Sequence, residues 1–300
     1  MYYIDQNRYR CPIFPLEPLF RSIYTVDHRF NPKSVDLFTD RNNLFKLISA
    51  ISGREIEGFR IEVEIVGNTL LFTRTEERPD DIITGFRGFG HEFEKKFTKH
   101  VQFPGSQSTG HHRVVQYSLG GMKLVVRFEV DGYLETEYNR QTAKLSDDEF
   151  DSIVEGLMNS VASMRIDQGR NLKILRSGFE VRHESIIELK SRAKHRPLQM
   201  NDVIYQLWFG QVPWLIVGYH VRGKFTHLVQ SNCKDRFKTF EAERKVELTQ
   251  LIRVIENIKK ALERTGKKRG VVIFEDHTIK LYEMRRNTRS LPRDLLEKWS

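Results

Sequence analysis

Phe128-Glu129-Val130-Asp131-Gly132 and Ile187-Glu188-Leu189-Lys190 are the stretches on which the reading of this chain turns. Each sets charged side chains two residues apart within an apolar run. In extended backbone, positions i and i+2 share a face. The pattern therefore predicts two strands, with Arg127, Glu129 and Asp131 projecting together and Glu188 beside Lys190. Val126, Phe128 and Val130 back the first strand, and Ile187 and Leu189 back the second. A core on one side and acids over a cleft on the other is the makeup of a metal-dependent phosphodiesterase site.

Outward from these strands the chain alternates helical and extended patterns. Residues 1–35 carry Pro12, Pro15, Pro18 and Pro32 among aromatics and predict an irregular arm. Asp40 to Ile51 has helical spacing, with Gly53 as its stop. Phe59 to Thr73 reads as a hairpin turning at Gly67-Asn68. Gly85 to Thr98 reads as a helix with Phe86, Phe89, Phe93 and Phe97 on one stripe and Glu94 beside it. Val114 to Ser118 and Lys123 to Leu134 predict a strand pair around Gly120-Gly121, and Asp147 to Met164 an amphipathic helix with acids at its start. Beyond the Glu188 strand come a short aromatic helix (Asp202 to Trp208) and an apolar strand (Trp214 to Tyr219). A long helix (Phe240 to Thr265) and a hairpin around Asp276-His277 follow. The expectation is an α/β (α+β) protein: mixed central sheets flanked by helices, in one domain over residues 1–300.

Composition narrows the function classes. Two cysteines, Cys11 and Cys233, are too few for a zinc cage or a disulfide framework. No apolar leader opens the chain, and no run is long enough to span a bilayer, so the expectation is a soluble, intracellular protein without a membrane partner. The net charge of +9, spread among twenty Phe and ten Tyr, suits a polyanion such as nucleic acid.

Acids that converge need a reason. At an effective dielectric near 20, two carboxylates about 4 Å apart repel by roughly 4 kcal/mol. A divalent cation reverses that sign, and an all-oxygen donor set favours Mg²⁺ or Mn²⁺ over zinc. Lys190 beside it suits the stabilisation of charge on a phosphoryl group. This division of labour is similar to that of the PD-(D/E)XK nucleases.

Further motifs fall in order along the chain. Arg41-Asn42-Asn43-Leu44-Phe45-Lys46-Leu47 resembles the Arg-Gly-x-Leu-Thr-Lys-Ile motif of the DXO-like (Rai/DXO) decapping exoribonucleases, and Gly90-His91-Glu92-Phe93-Glu94 resembles their Gly-x-x-Phe-Glu. Glu129-Val130-Asp131 is similar to the family's Glu-h-Asp, and Glu188-Leu189-Lys190 to its Glu-h-Lys. Gln206 to Pro213, with Ile216 to Tyr219 after it, resembles the family's Gln-Ser-Phe-Leu-x-Gly-Val-Pro block and following strand. Departures are Asn42 for Gly, Phe45 for Thr, Gln211 for Gly, and an insertion at residues 135–184.

The resemblance implies a role for each matching position. Glu94, Glu129, Asp131 and Glu188, with the Leu189 carbonyl, would ligate two Mg²⁺ or Mn²⁺ ions. Lys190, Glu129 and Gln206 would serve the scissile phosphate and attacking water, and Arg41 would clamp a substrate phosphate. The substrates implied are RNA 5′ ends bearing a triphosphate, an incomplete cap or NAD, with 5′–3′ digestion afterwards. An exoribonuclease is the implied protein partner, and the nucleus is favoured over the cytoplasm. The competing readings are a catalytically silent RNA-binding or scaffolding relative and a PD-(D/E)XK DNA nuclease. Asp147-Asp148-Glu149-Phe150-Asp151 spells the Asp-Asp-x-x-Asp of prenyl diphosphate synthases, but that all-helical fold needs a second such motif, and none is present.

Overall fold

The computed structural model describes residues 11, 13–54, 57–76, 88–99, 110–137, 139, 172, 174, 179–284 and 288–300. Helix α1 (Glu17–Val26) lies inside the segment whose prolines predict an irregular arm. Pro18 sits in its first turn, where an N–H has no helical partner to lose, and Leu19 and Phe20 are buried. Strand β1 (Leu37–Asp40) runs straight into helix α2 (Arg41–Ile51). The predicted hairpin is β2 (Phe59–Val66) and β3 (Thr69–Thr75). Helix α3 (Gly90–Phe97) is the described part of the predicted Gly85–Thr98 helix. Of its stripe, Phe93 is buried, Phe89 and Phe97 are partly exposed, and Phe86 is outside the described residues.

Strands β4 (His112–Leu119) and β5 (Met122–Glu129) pair as expected. The strand predicted from Lys123 to Leu134, however, is two: β5 ends at Glu129, and β6 (Gly132–Tyr133) belongs to another sheet. Phe128 and Val130 turn into the core under that second sheet, and the change of direction falls between Glu129 and Asp131. Val130 and Asp131 belong to neither strand, although the Val130 N–H still donates to the His111 carbonyl at 2.8 Å. The Asp147–Met164 helix and nearly all of the 135–184 insertion lie outside the described residues.

The second half continues with β7 (Ile186–Ala193), α4 (Ile204–Gly210), β8 (Trp214–Val221) and β9 (Lys224–Asn232). The long predicted helix is interrupted at Arg244, giving α5 (Lys234–Glu243) and α6 (Lys245–Arg264). Then come β10 (Arg269–Glu275), β11 (Thr278–Glu283) and α7 (Arg293–Leu296). Among the described residues no helix is long and apolar enough to cross a membrane.

A seven-stranded mixed sheet has the order β11-β10-β2-β3-β1-β5-β4, with β1 parallel to both of its neighbours. A four-stranded sheet has the order β6-β7-β8-β9, with β7 and β8 parallel. One face of the larger sheet packs Ile61, Val63 and Val126 against Leu44 and Leu47 of α2 and against Leu251, Ile255 and Ile258 of α6. Its other face holds Phe38, Leu71 and Val125 under Leu19 and Phe20 of α1 and Leu295 of α7. The expected class, mixed sheets flanked by helices, is what these layers make.

Strand alternation in β7 sets the geometry that matters most. Ile187 and Leu189 face Phe93 of α3, whereas Ile186 packs with Phe128, Leu207 of α4 and Val217. Glu188 and Lys190 share the face of Ile186, so they point toward α4 and the larger sheet. Glu188 is only 3% exposed there.

Candidate active site

The site is assembled where the two sheets meet. From the larger sheet, β1 and β5 are parallel neighbours with Asp40 opposite Arg127, so both end at the same edge. Arg41, the first residue of α2, and Glu129, the last of β5, project from that edge. Arg127 was expected over the cleft beside Glu129, but it is buried, because its guanidinium forks onto the Asp40 carboxylate at 2.6 and 3.0 Å and reaches the Pro15 carbonyl at 3.3 Å. This pair ties the strand end from which Arg41 projects to the strand end that carries Glu129. The pairing is not legible in the sequence, where Arg127 reads as a cleft residue and Asp40 as the start of a helix. The signal that could have found them is an arginine amid the apolar run Leu124 to Val130.

Glu188 is the centre of the cluster. One carboxylate oxygen accepts from Arg41 at 2.9 Å and the other from Lys190 at 2.6 Å. Burial pushes this carboxyl up, but Arg41 and Lys190 outweigh that and hold it below the usual range. Arg41 also lies 5.3 Å over the Phe128 ring and 3.4 Å from the Gln206 carbonyl oxygen.

Asp131 reaches the same place by a different route. Strand β6 is two residues long and pairs with β7 only at Ile186 and Ile187. Beyond Ile187 the Asp131 carboxylate takes over, accepting the Leu189 N–H at 2.7 Å where a strand carbonyl would otherwise sit. Its carboxyl is pushed up to about 8, first by burial and then by the negative charge of Glu188, with Lys190 opposing. Glu129 is raised too, by desolvation of the carboxylate and by Glu94 and Glu188, against Arg41, although its stem lies open to solvent at the rim.

Glu94 stands on α3 beside buried Phe93, with His91 at 3.6 Å. It adds to the negative field at both Glu129 and Asp131. Gln206 of α4 keeps its side-chain oxygen buried without a partner. The structure thus gathers Arg41, Glu94, Glu129, Asp131, Glu188, Leu189, Lys190 and Gln206 into one neighbourhood. His91 belongs there as well, one helical turn before Glu94, a spacing that could have been read from the sequence.

Among the described residues no three His, Cys, Asp or Glu side chains are drawn around a single point closely enough to hold a cation as they stand. Glu188 gives both oxygens to the protein's own cations and Asp131 gives one to a backbone N–H. The donor set nonetheless fits a divalent ion. It is all oxygen, the charge of Glu188 and Glu94 raises both Glu129 and Asp131, and the orphaned oxygen of Gln206 is a buried acceptor that ordinarily demands a partner.

A family model described as a domain of unknown function, DUF8563, matches residues 1–299. The chain belongs to the DUF8563 family. No curated protein matches this DUF8563 chain. Among solved structures, S. pombe Rai1 is similar at 12% identity and a TM-score of 0.56, covering 89% of this chain and 77% of that one. Candida albicans Rai1 in complex with pU5-Mn²⁺ shows 12% identity, a TM-score of 0.54, and coverage of 94% and 80%. K. lactis Dxo1 in complex with manganese shows 11% identity, a TM-score of 0.53, and coverage of 91% and 72%. The DUF8563 chain therefore has the Rai1/Dxo1 fold, and the resemblance read from its motifs holds at that level.

Proposed function

We propose that this protein is a divalent-cation-dependent hydrolase acting at RNA 5′ ends. The observation that carries the proposal is the burial of Glu188 between Arg41 and Lys190, within the field of three further acids. A structural ion pair needs one cation and no extra carboxylates. Glu129 and Asp131 stay raised by burial and by the charge of Glu188 and Glu94 even with Arg41 and Lys190 nearby, a cost that a bound cation would relieve.

In this reading Glu94, Glu129, Asp131 and Glu188, with the Leu189 carbonyl, hold Mg²⁺ or Mn²⁺, which when bound polarises a phosphoryl oxygen and acidifies water. The solved relatives support the choice of ion class, since two of them are described with manganese. Arg41, at 15% side-chain exposure, presents its remaining donors to a substrate phosphate. Lys190, more open at 25%, places an ammonium where negative charge grows on phosphorus. The Gln206 side-chain oxygen accepts from water and orients it. Binding of pU5 is described for the Candida relative and of 3′-FADP for S. pombe Rai1. By extension, the substrates here are RNA 5′ ends with a triphosphate, an incomplete cap or a dinucleotide cap.

The test is an assay of purified protein with Mn²⁺ or Mg²⁺ on 5′-triphosphate, NAD-capped, GpppN-capped and 5′-monophosphate RNAs, beside single-stranded DNA. Cation-dependent release of a 5′-end product that disappears in Glu188→Ala is expected. Equal product from wild type and Glu188→Ala refutes the site, and cleavage of DNA alone refutes the substrate.

A further inference from the structure

Two residues past Lys190, strand β7 runs into Arg192-Ala193-Lys194-His195-Arg196. A cavity of about 420 Å³ opens there, lined by Ala193, Lys194, His195, His220, Val221 and Arg222. It is built from the carboxyl ends of the parallel strands β7 and β8, the first of which carries Glu188 and Lys190 further back along its length. From Lys190 to Lys194 the strand rise amounts to about 13 Å.

Several surface cations elsewhere sit in ion pairs. Lys280 pairs with Glu275, Lys267 with Glu283, Arg293 with Glu297, and Lys46 and Arg74 with Glu76. Lys194, His195, Arg196 and Arg222 pair with no carboxylate among the described residues. Four cationic or titratable side chains thus gather at one concave tip, and Lys194, His195 and Arg222 line its cavity.

The backbone shows that the tip is built and not frayed. Arg222 has φ +49° in the turn from β8 to β9, a conformation that arginine adopts at a cost and that glycine or asparagine would take more easily. Gly223 follows at φ +86°, and a Cβ there would strike the Phe89 ring at 2.6 Å. The Gly223 N–H donates to His220 Nδ1 at 3.3 Å, and Phe89 packs edge-on to the same imidazole with centroids 4.7 Å apart. Phe89 remains 36% exposed and immediately precedes α3, the helix that carries Glu94. Cationic groups in a groove beside a half-exposed aromatic ring are how single-stranded nucleic acid is held without sequence preference.

We infer that this tip is a binding site for the phosphodiester backbone of the RNA body, a few nucleotides downstream of the 5′ end that enters between Arg41 and Lys190. The inference rests on the proposed function for its ligand and adds a second contact, one that makes affinity depend on RNA length. Lys194 and Arg222 are the residues that meet phosphate, and Phe89 offers the ring on which a base stacks.

The experiment compares 5′-monophosphorylated oligouridylates of about 15 nucleotides with the dinucleotide pUpU and with inorganic phosphate. Wild type and the exposed double variant Lys194→Ala/Arg222→Ala are titrated by fluorescence anisotropy or competition at several salt concentrations. The double variant should lose about tenfold in affinity for the long RNA, and its salt slope should fall by about 1.4, near 0.7 for each lost cation. Its affinity for pUpU and its melting temperature should stay unchanged. Unchanged affinity for the long RNA overturns the inference, as does an equal loss on pUpU or stronger competition by polyglutamate than by RNA. If wild type hydrolyses no RNA while the length-dependent loss is seen, the hydrolase proposal fails and this site stands. If wild type hydrolyses RNA and the double variant binds the long RNA normally, only this site fails.

Discussion

Replacing Asp40 by asparagine removes one negative charge and almost no volume, and it isolates what the buried pair contributes. Arg127 is 4% exposed, and its forked contacts to Asp40 are the two closest it makes among those given above. A guanidinium cannot shed its proton at any pH the fold survives, so the variant takes the forked carboxylate from a buried cation and must strain or open the β1–β5 edge. Removing one partner of such a pair costs about 3–5 kcal/mol. At about 2 °C per kcal/mol for a long chain, the melting temperature should drop by roughly 6–10 °C. The same edge carries Arg41 and Glu129, so any activity should fall at temperatures where the variant is still folded. The control is the double variant Asp40→Asn/Arg127→Met, which removes the stranded charge and should recover most of the loss. Thermal melts of all four proteins form a double-mutant cycle with a coupling of at least about 2 kcal/mol. A drop below about 2 °C in Asp40→Asn, or a double variant as damaged as the sum of the single ones, refutes the claim that this pair locks the edge.

Mn²⁺ should raise the melting temperature of wild type, by about 2.7 kcal/mol of stability at one hundred times its dissociation constant, and chelator should reverse it. Glu188→Ala and Asp131→Ala should lose that stabilisation while Arg41→Ala keeps it, which a metal titration by melting reads directly. Gly218→Ala places a methyl carbon 2.3 Å from the Phe93 ring and should cost about 1–3 kcal/mol by overpacking. Pairing it with Phe93→Leu should restore part of the loss. Burial would push the Glu247 carboxyl up, but hydrogen bonds from Tyr205 at 2.5 Å and Ser52 at 3.0 Å, together with Arg244, hold it below the usual range. A depressed carboxyl stabilises fully above its unfolded pKa of about 4.3 and loses that contribution as pH falls through the folded value. Melting temperatures of wild type and Glu247→Gln should therefore differ at neutral pH and converge on acidification below the ordinary carboxylate range.

What the sequence disclosed depended on how a segment is buried. Where one face is apolar and the other polar, as in α2, β7 and the hairpin around Gly67-Asn68, periodicity carried the element and nearly its bounds. Strand β1 is buried along its whole length and four residues long, so no alternation marks it. Strand β9 is exposed almost throughout, which hides it for the opposite reason. Helix α1 was masked by a proline that helices tolerate in their first turn. The site residues were legible as ordered motifs, yet the route of Asp131 into the site was not. Strict i, i+2 alternation placed it beside Glu129 on one strand, whereas the chain changes sheets between them. Arg127 was misplaced by the same rule, because local spacing cannot show that a charge has a buried partner 87 residues away.

The ion pair between Arg41 and Glu188 closes a separation of 147 residues and joins one sheet to the other. Contacts so distant along the chain form late in folding, after the loop between them has been closed. Each sheet made alone carries an incomplete set, Arg41 and Glu129 in one and Glu188 and Lys190 in the other. Under the proposed function a growing or half-folded polypeptide is consequently inert toward phosphodiesters, and competence follows only on the final docking of the two layers.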